Sequence, residues 1–245
     1  SCYVRGSTPV PPKPETVEEC IDRLFRKYAG AVPKFPRGDE ITAATWQALE
    51  ECDAKFKAQS ADTKLTRGMA AEFTLFKLME RRFAWNDINR VFASVDDFVE
   101  TANRVLQARK SRAGRSLENH FGMVLRERAI PYDVRARGAE ELPDILIPSK
   151  AAYEDPGYPV EMLFAVPVKT TLKDRWGQVL KEAPRVPKKY LVTMQPGISV
   201  ALLNRMREQR ITLVVPKEIQ AEYPASGMEI LSVEDFIALV KERLK

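Results

Sequence analysis

The stretch LFAVPVKTTLKDRW, residues 163–176, decides how the rest of the chain is read. Its apolar run LFAVPV is too short for a helix and ends at Lys-Thr-Thr, the pattern of a buried strand leaving the core. Lys169, Lys173, Asp174 and Arg175 then place four charges within seven residues, at a strand-to-helix turn. Working outward, PDILIP (143–148), KYLVTM (189–194) and ITLVVP (211–216) are runs of the same kind, each bounded by turn residues. Helical segments near 175–183, 199–209 and 217–222 separate them, and Ser232 with an acid three residues on opens a final helix. Four short strands with intervening helices predict an α/β core with at least some parallel pairing.

Upstream the pattern is helical. Val17, Cys20, Ile21, Leu24, Phe25 and Tyr28 recur at helical spacing; a second helix carries Trp46, Leu49 and Phe56 on one face. A third runs through MAAEFTLFKLMERRF. Ser94 with Asp97 is a capping-box pattern for a long helix from about Val95, with Gly114 marking a kink before SLENHFGMVLRER. No internal repeat and no dividing linker is visible.

With 245 residues, 44% hydrophobic and 30% charged, the chain has the composition of a globular protein. No apolar run approaches a membrane span. SCYVRGSTPVPPKPE lacks the apolar centre of a signal peptide and reads as a Pro-rich lead-in. There is no initiator Met, as expected of a chain that is processed, tagged or cut from something longer. Cys2, Cys20 and Cys52 are scattered and form no CxxC pair, which predicts free thiols in a reducing compartment and no zinc site. His120 is the only histidine, which argues against a His-based triad or a His-rich metal site and leaves carboxylates and Lys as the expected carriers of any hydrolysis.

The net charge is +5, and RVLQARKSRAGR (residues 104–115) holds five positive charges and no acid. A lone run of this kind is ordinarily a solvated helix face. Joined to the second cluster at Lys169–Arg175, it points to an anionic partner.

Pro143-Asp144 opens one strand and Lys169 closes the next. Antiparallel neighbours would bring that start beside that end, so Asp144 and Lys169 could meet. Phosphodiester cleavage uses carboxylates to hold Mg²⁺ and a Lys to orient the attacking water or stabilise developing charge. The usual nuclease pattern has an acid two residues before the Lys, where this chain has Pro167. Glu182, on the helix after KDRW, and Glu118, on the long helix before the core, are the two candidates for the second acid. Either one alone would pass for a surface glutamate.

RKSRAGRSLENHF, LPDILIPS, AVPVKTTLKDRW, GQVLKEA and RITLVVPKEIQAEYP together resemble the catalytic domain of the EcoRII family of Type II restriction endonucleases, from about KFPRGDEI at residue 34 to the C-terminus. The resemblance implies a restriction-endonuclease-like α/β fold of the PD-(D/E)xK type: a mixed central sheet flanked by helices, with a helical N-terminal part. It divides the chain into residues 1–33, a Pro-rich lead-in and helix, and a catalytic domain at 34–245. Within that domain, 34–130 would be the helical DNA-binding part and 131–245 the nuclease core. In this branch the second acid has migrated to the following helix, which accounts for Pro167. Asp144, Lys169 and Glu182 would form the active site with Glu118 in support, and Asp144 and Glu182 would ligate Mg²⁺.

The resemblance also implies that Lys173, Asp174 and Arg175 read CC:GG pairs in the major groove, chemistry that suits guanine acceptors and the cytosine amine. Gln107 and Arg109 would approach from the minor-groove side. Phe73 matches an aromatic that holds a flipped central base, while Met69 stands where an arginine is expected, and Arg67 could compensate only if geometry allowed. Phe73 could equally be a core aromatic. The implied enzyme is a cytoplasmic prokaryotic homodimer that cuts double-stranded DNA at a CC-centre-GG site, CCWGG or CCNGG, leaving 5′-phosphate and 3′-hydroxyl ends. A companion cytosine methyltransferase is expected in the same system. It would be a compact stand-alone enzyme or an excised catalytic domain. Two other classes compete: a DNA-binding protein that no longer cuts, which would not need all four of Asp144, Lys169, Glu182 and Glu118, and a metabolite-binding α/β protein, for which no Gly-rich phosphate loop is present.

Overall fold

The computed structural model describes residues 14–136, 141–172, 176–225 and 227–245. The helical part comprises α1 (Val17–Ala31), α2 (Gly38–Cys52), α3 (Ala61–Ile88) and α4 (Val95–Glu127). Local chemistry sets their starts. Thr16 and Glu19 close a capping box on α1, Ser60 accepts from Thr63 N at α3, and Ser94 accepts from Asp97 N at α4. The α4 helix runs unbroken through Gly114. Phe56, expected on the second helix, instead sits on the 3₁₀ turn Phe56–Ala58 and meets Trp46 edge-on at 5.4 Å.

The cysteine expectation fails. Cys20 and Cys52 form a disulfide, their Cα atoms 5.7 Å apart. The start of α1 lies against the end of α2, so two residues 32 apart in sequence meet through packing. No spacing rule covers such a pair, and the cysteine count carries no information about compartment. Cys2 lies outside the described residues. Among the described residues no helix is long and apolar enough to cross a membrane.

The second part is a six-stranded mixed sheet in chain order: β1 (Asp133–Val134), β2 (Ile145–Ile147), β3 (Phe164–Val166), β4 (Lys189–Val192), β5 (Ile211–Val214) and β6 (Ile230–Leu231). The first three strands pair antiparallel and the rest parallel. Short helices fill the connections: α5 (Lys150–Glu154), α6 (Trp176–Val179), α7 (Val200–Glu208) and α8 (Lys217–Gln220); α9 (Val233–Arg243) closes the chain. The four apolar runs expected to be strands are β2 to β5. The edges β1 and β6 escaped notice because two-residue strands are too short to show any alternation. The C-terminal half of α4, through Leu117, Phe121 and Val124, packs with Phe164, Tyr190 and Phe236 in the main core. This buries an aromatic cluster beneath the strands that carry the site.

One buried carboxylate fastens the helical part to the sheet. Asp62, in the first turn of α3, accepts from Lys217 N (3.0 Å), Val233 N (2.7 Å) and Glu234 N (3.1 Å), the starts of α8 and α9. Glu234 returns the contact by accepting from Ala61 N at 2.8 Å. Two helix N-termini thus share one anion. Asp62→Ala leaves three backbone donors unpaired, that of Val233 buried, and is expected to lower stability by about 2–4 kcal/mol, read by urea unfolding. A loss below about 0.5 kcal/mol would mean that the two parts are joined by other contacts.

Candidate active site

The antiparallel register sets Ile145 opposite Val166, and the next step along the strands puts Asp144 opposite Pro167. Proline has no N–H to offer the ladder there. The chain uses the following one: Val168 N donates to Asp144 Oδ2 at 2.7 Å. Beyond β3 the backbone continues beside β4, with Val192 N donating to Pro167 O and Lys169 N donating to Val192 O. This holds Lys169 so that its Nζ also donates to Asp144 Oδ2, at 2.7 Å. The meeting of Asp144 and Lys169 anticipated from the sequence is therefore present.

Glu182 completes the group, its Oε1 3.6 Å from Lys169 Nζ. It does not lie on a helix: α6 ends at Val179, and Glu182 sits in the turn that follows. Three contacts fix that turn. Ala183 takes a left-handed conformation (φ 47°) and donates its N–H to Glu141 O at 2.8 Å; buried Lys189 donates to the carbonyls of Ala183 and Val186. Burial holds the Lys189 ammonium down to about 8.

The electrostatics are those of acids kept out of water. Asp144 is 1% exposed and Glu182 4%. Burial pushes Glu182 up from the usual carboxylate range, against the pull of Lys169, and its Oε2 is buried without a partner. Glu118, half-buried on α4, is pushed up to about 7 by burial and then by the Asp144 charge. Among the described residues no three His, Cys, Asp or Glu side chains already surround one ion position. A residue that the sequence reading missed stands there instead. Arg135 Nη2 lies 2.7 Å from Asp144 Oδ1 and Arg135 Nη1 3.9 Å from Glu182 Oε1. Nothing local in DVRAR distinguishes Arg135, because its role depends on the β1–β2 pairing. A cleft of about 870 Å³ opens onto Lys169 and Glu182, bordered by Arg135, Gln178 and Lys181.

A second cleft, about 900 Å³, lies between α2, α3 and α4, with six basic and two acidic side chains in its lining. Phe73 and Met69 both line it, and Phe73 is 63% exposed, which removes the core-aromatic alternative. Lys77 Nζ stands 6.0 Å over the Phe73 ring. Arg67 does not compensate for Met69: it pairs with Asp53 at 2.6 Å and lies over the Phe56 ring. The cleft wall is braced by buried His120, which accepts from Trp46 Nε1 at 2.8 Å and faces Glu72 at 2.9 Å. Gly68 is required there, since a Cβ would stand 2.6 Å from the His120 ring. Gln107 and Arg109 lie on the exposed stretch of α4, where Arg109 is bound by Glu80 through two hydrogen bonds of 2.6 and 2.7 Å. Lys173, Asp174 and Arg175 lie outside the described residues.

Comparison with known proteins gives the family and the fold. Residues 76–237 match the family model described as EcoRII C terminal. The chain is 38% identical over 210 residues to the Type II restriction enzyme EcoRII of Escherichia coli, covering 84% of this chain and 50% of that protein. It is 25% identical over 147 residues to the Type II restriction enzyme SsoII of Shigella sonnei, covering 56% and 47%. The chain thus spans about half the length of the curated relatives it matches. Among solved structures, metal-depleted Ecl18kI with uncleaved, modified DNA superposes with a TM-score of 0.70 at 18% identity, over 93% of this chain and 84% of that one. The PspGI restriction endonuclease–substrate DNA complex gives 0.66 at 17% identity, over 85% and 93%. Both share the fold.

The Glu118 environment has a measurable consequence. Its carboxyl titrates near 4.5 when unfolded and about 7 when folded, so the folded state holds the proton more tightly. That contribution is complete below pH 4.5 and is lost as pH rises towards 7. Glu118→Gln, without metal, is therefore expected to raise stability by about 1–3 kcal/mol at pH 8 and to change it little near pH 4. Equal effects at both pH values in denaturant titrations would contradict this.

Proposed function

The chain belongs to the EcoRII C-terminal family, and on that footing we propose that it is a Type II restriction endonuclease that cuts both strands of DNA at a CC-centre-GG site. The observation that carries the reading is the convergence of Asp144 and Glu182 on Lys169, with Lys169 and Glu182 lining one cleft and the second acid reaching the site from beyond α6 instead of from position 167. A protein that only bound DNA would gain nothing from burying two acids against a lysine, an arrangement that costs stability unless it is paired.

The residues present fit a divalent cation. Glu182 Oε2 is an orphaned buried carboxylate oxygen, Asp144 is its neighbour across Lys169, and Glu118 supplies a third acid within electrostatic reach. Asp144 and Glu182 would hold Mg²⁺, which when bound neutralises scissile-phosphate charge and lowers the pKa of water. The protein's own work is positional. Lys169, fixed by its backbone bond to Val192, presents an ammonium that orients the attacking water. Glu118, titrating at about 7, is placed to take up or release a proton at neutral pH. Cleavage would leave a 5′-phosphate and a 3′-hydroxyl.

Lys173, Asp174 and Arg175, immediately after Lys169, would read the CC:GG pairs in the major groove, while Gln107 and Arg109 approach from the minor-groove side. For Arg109 this requires release from Glu80. The remaining positive charges of α4 contact phosphates and make binding salt-sensitive. The exposed Phe73 ring and Met69 in the α2–α3–α4 cleft would receive a flipped central base, with Lys77 the cation nearest the ring in place of the missing arginine. A two-fold site calls for a homodimer.

Asp144→Ala and Lys169→Ala are each expected to slow plasmid cleavage in Mg²⁺ by roughly 10²–10³-fold or more while leaving site binding in Ca²⁺ measurable. Near wild-type cutting by either would remove that residue from the site. In DNA with 2-aminopurine at the central pair, fluorescence is expected to rise on binding the wild type and to change differently on binding Phe73→Ala. Quenched emission in both would show that the bases stay stacked.

A further inference from the structure

Asp144 has both oxygens engaged. Oδ2 accepts from Val168 N and Lys169 Nζ, each at 2.7 Å; Oδ1 faces Arg135 Nη2 at 2.7 Å. An ion approaching Asp144 has to share or take over an oxygen that one of these donors holds. Val168 N belongs to the backbone beside β3 and cannot leave, and the Lys169 side chain is only 11% exposed, enclosed between Asp144 and Glu182. Arg135 differs from both. Its side chain is 30% exposed, it follows the edge strand β1, and it borders the open cleft. Its backbone is anchored nonetheless, with Arg135 N donating to Asp144 O at 3.0 Å. The guanidinium also donates from Nη1 to Leu142 O at 3.1 Å, and swinging aside breaks that bond while the root stays in register with the acid.

Charge points the same way. The two acids read as ligands, Asp144 and Glu182, already face two cations, Lys169 and Arg135, with Glu118 as a third acid in electrostatic reach. We propose that Arg135 is a built-in counter-ion: it occupies the Asp144 oxygen that a divalent cation needs, and its displacement sets the ion concentration at which the site fills. The proposal rests on the reading of Asp144 and Glu182 as cation ligands. Arg135 is a positioning residue that pairs with the buried Asp144 carboxylate until an ion takes its place.

Ca²⁺ titration of the DNA-free protein, followed by thermal melting, tests this without reference to cleavage. The half-saturating Ca²⁺ concentration is expected to fall at least about tenfold in Arg135→Gln, which keeps a donor to Asp144 but removes the charge. Arg135→Lys, with the charge but without the planar fork, should lie between Arg135→Gln and the wild type. Equal midpoints for wild type and Arg135→Gln overturn the role of Arg135. A Ca²⁺ response that survives Asp144→Asn instead overturns the cation reading beneath it. Should Arg135→Gln fail to fold, ¹⁵N-arginine-labelled wild type carries the test. The Arg135 guanidinium signal, identified by its loss in Arg135→Lys, is expected to move with the same Ca²⁺ midpoint as the melting temperature. A signal that stays put throughout overturns the proposal.

Discussion

The hydrogen bond from Lys169 Nζ to Asp144 Oδ2 exists because β2 and β3 run antiparallel, which places the start of one strand beside the end of the next. Most of the site follows from that pairing. It leaves Pro167 opposite Asp144, so the position from which an acid would ordinarily enter is filled by a residue with no side-chain charge and no N–H. The Asp144 carboxylate then takes the N–H of Val168, and the second acid has to arrive from another element. Glu182 does so from a turn fixed by the buried Lys189 and by the left-handed Ala183.

Burying acids in this way is costly unless each finds a partner. The structure meets the cost with Lys169 and Arg135, and leaves Glu182 Oε2 and the raised Glu118 as the parts of the account that an ion would close. The same economy appears away from the site. Asp62 satisfies the starts of α8 and α9 with one carboxylate and thereby couples α3, which lines the second cleft, to the part of the chain that carries Asp144 and Lys169.

The sequence disclosed what depends on short-range pattern. The four core strands, the Ser94 and Ser232 caps and the pairing of Asp144 with Lys169 follow from apolar period, capping chemistry and strand order. What stayed hidden depends on long-range packing. The Cys20–Cys52 bond needs α1 against α2, Arg135 needs β1 against β2, and the exclusion of Arg67 from the Phe73 cleft needs Asp53. The residues offer Glu182 and Glu118 alike as the second acid, and only the resemblance prefers Glu182, since nothing in its neighbours' pattern separates it from a surface glutamate; its position past the end of α6 depends on the fold.

The central claim is that these buried charges cut DNA at one short site. It is tested most directly by incubating a plasmid with the protein and Mg²⁺ and sequencing every end that forms. The account predicts ends confined to CC-centre-GG sites, each bearing a 5′-phosphate. Intact plasmid from a folded, site-binding preparation, or ends scattered without regard to sequence, would contradict it.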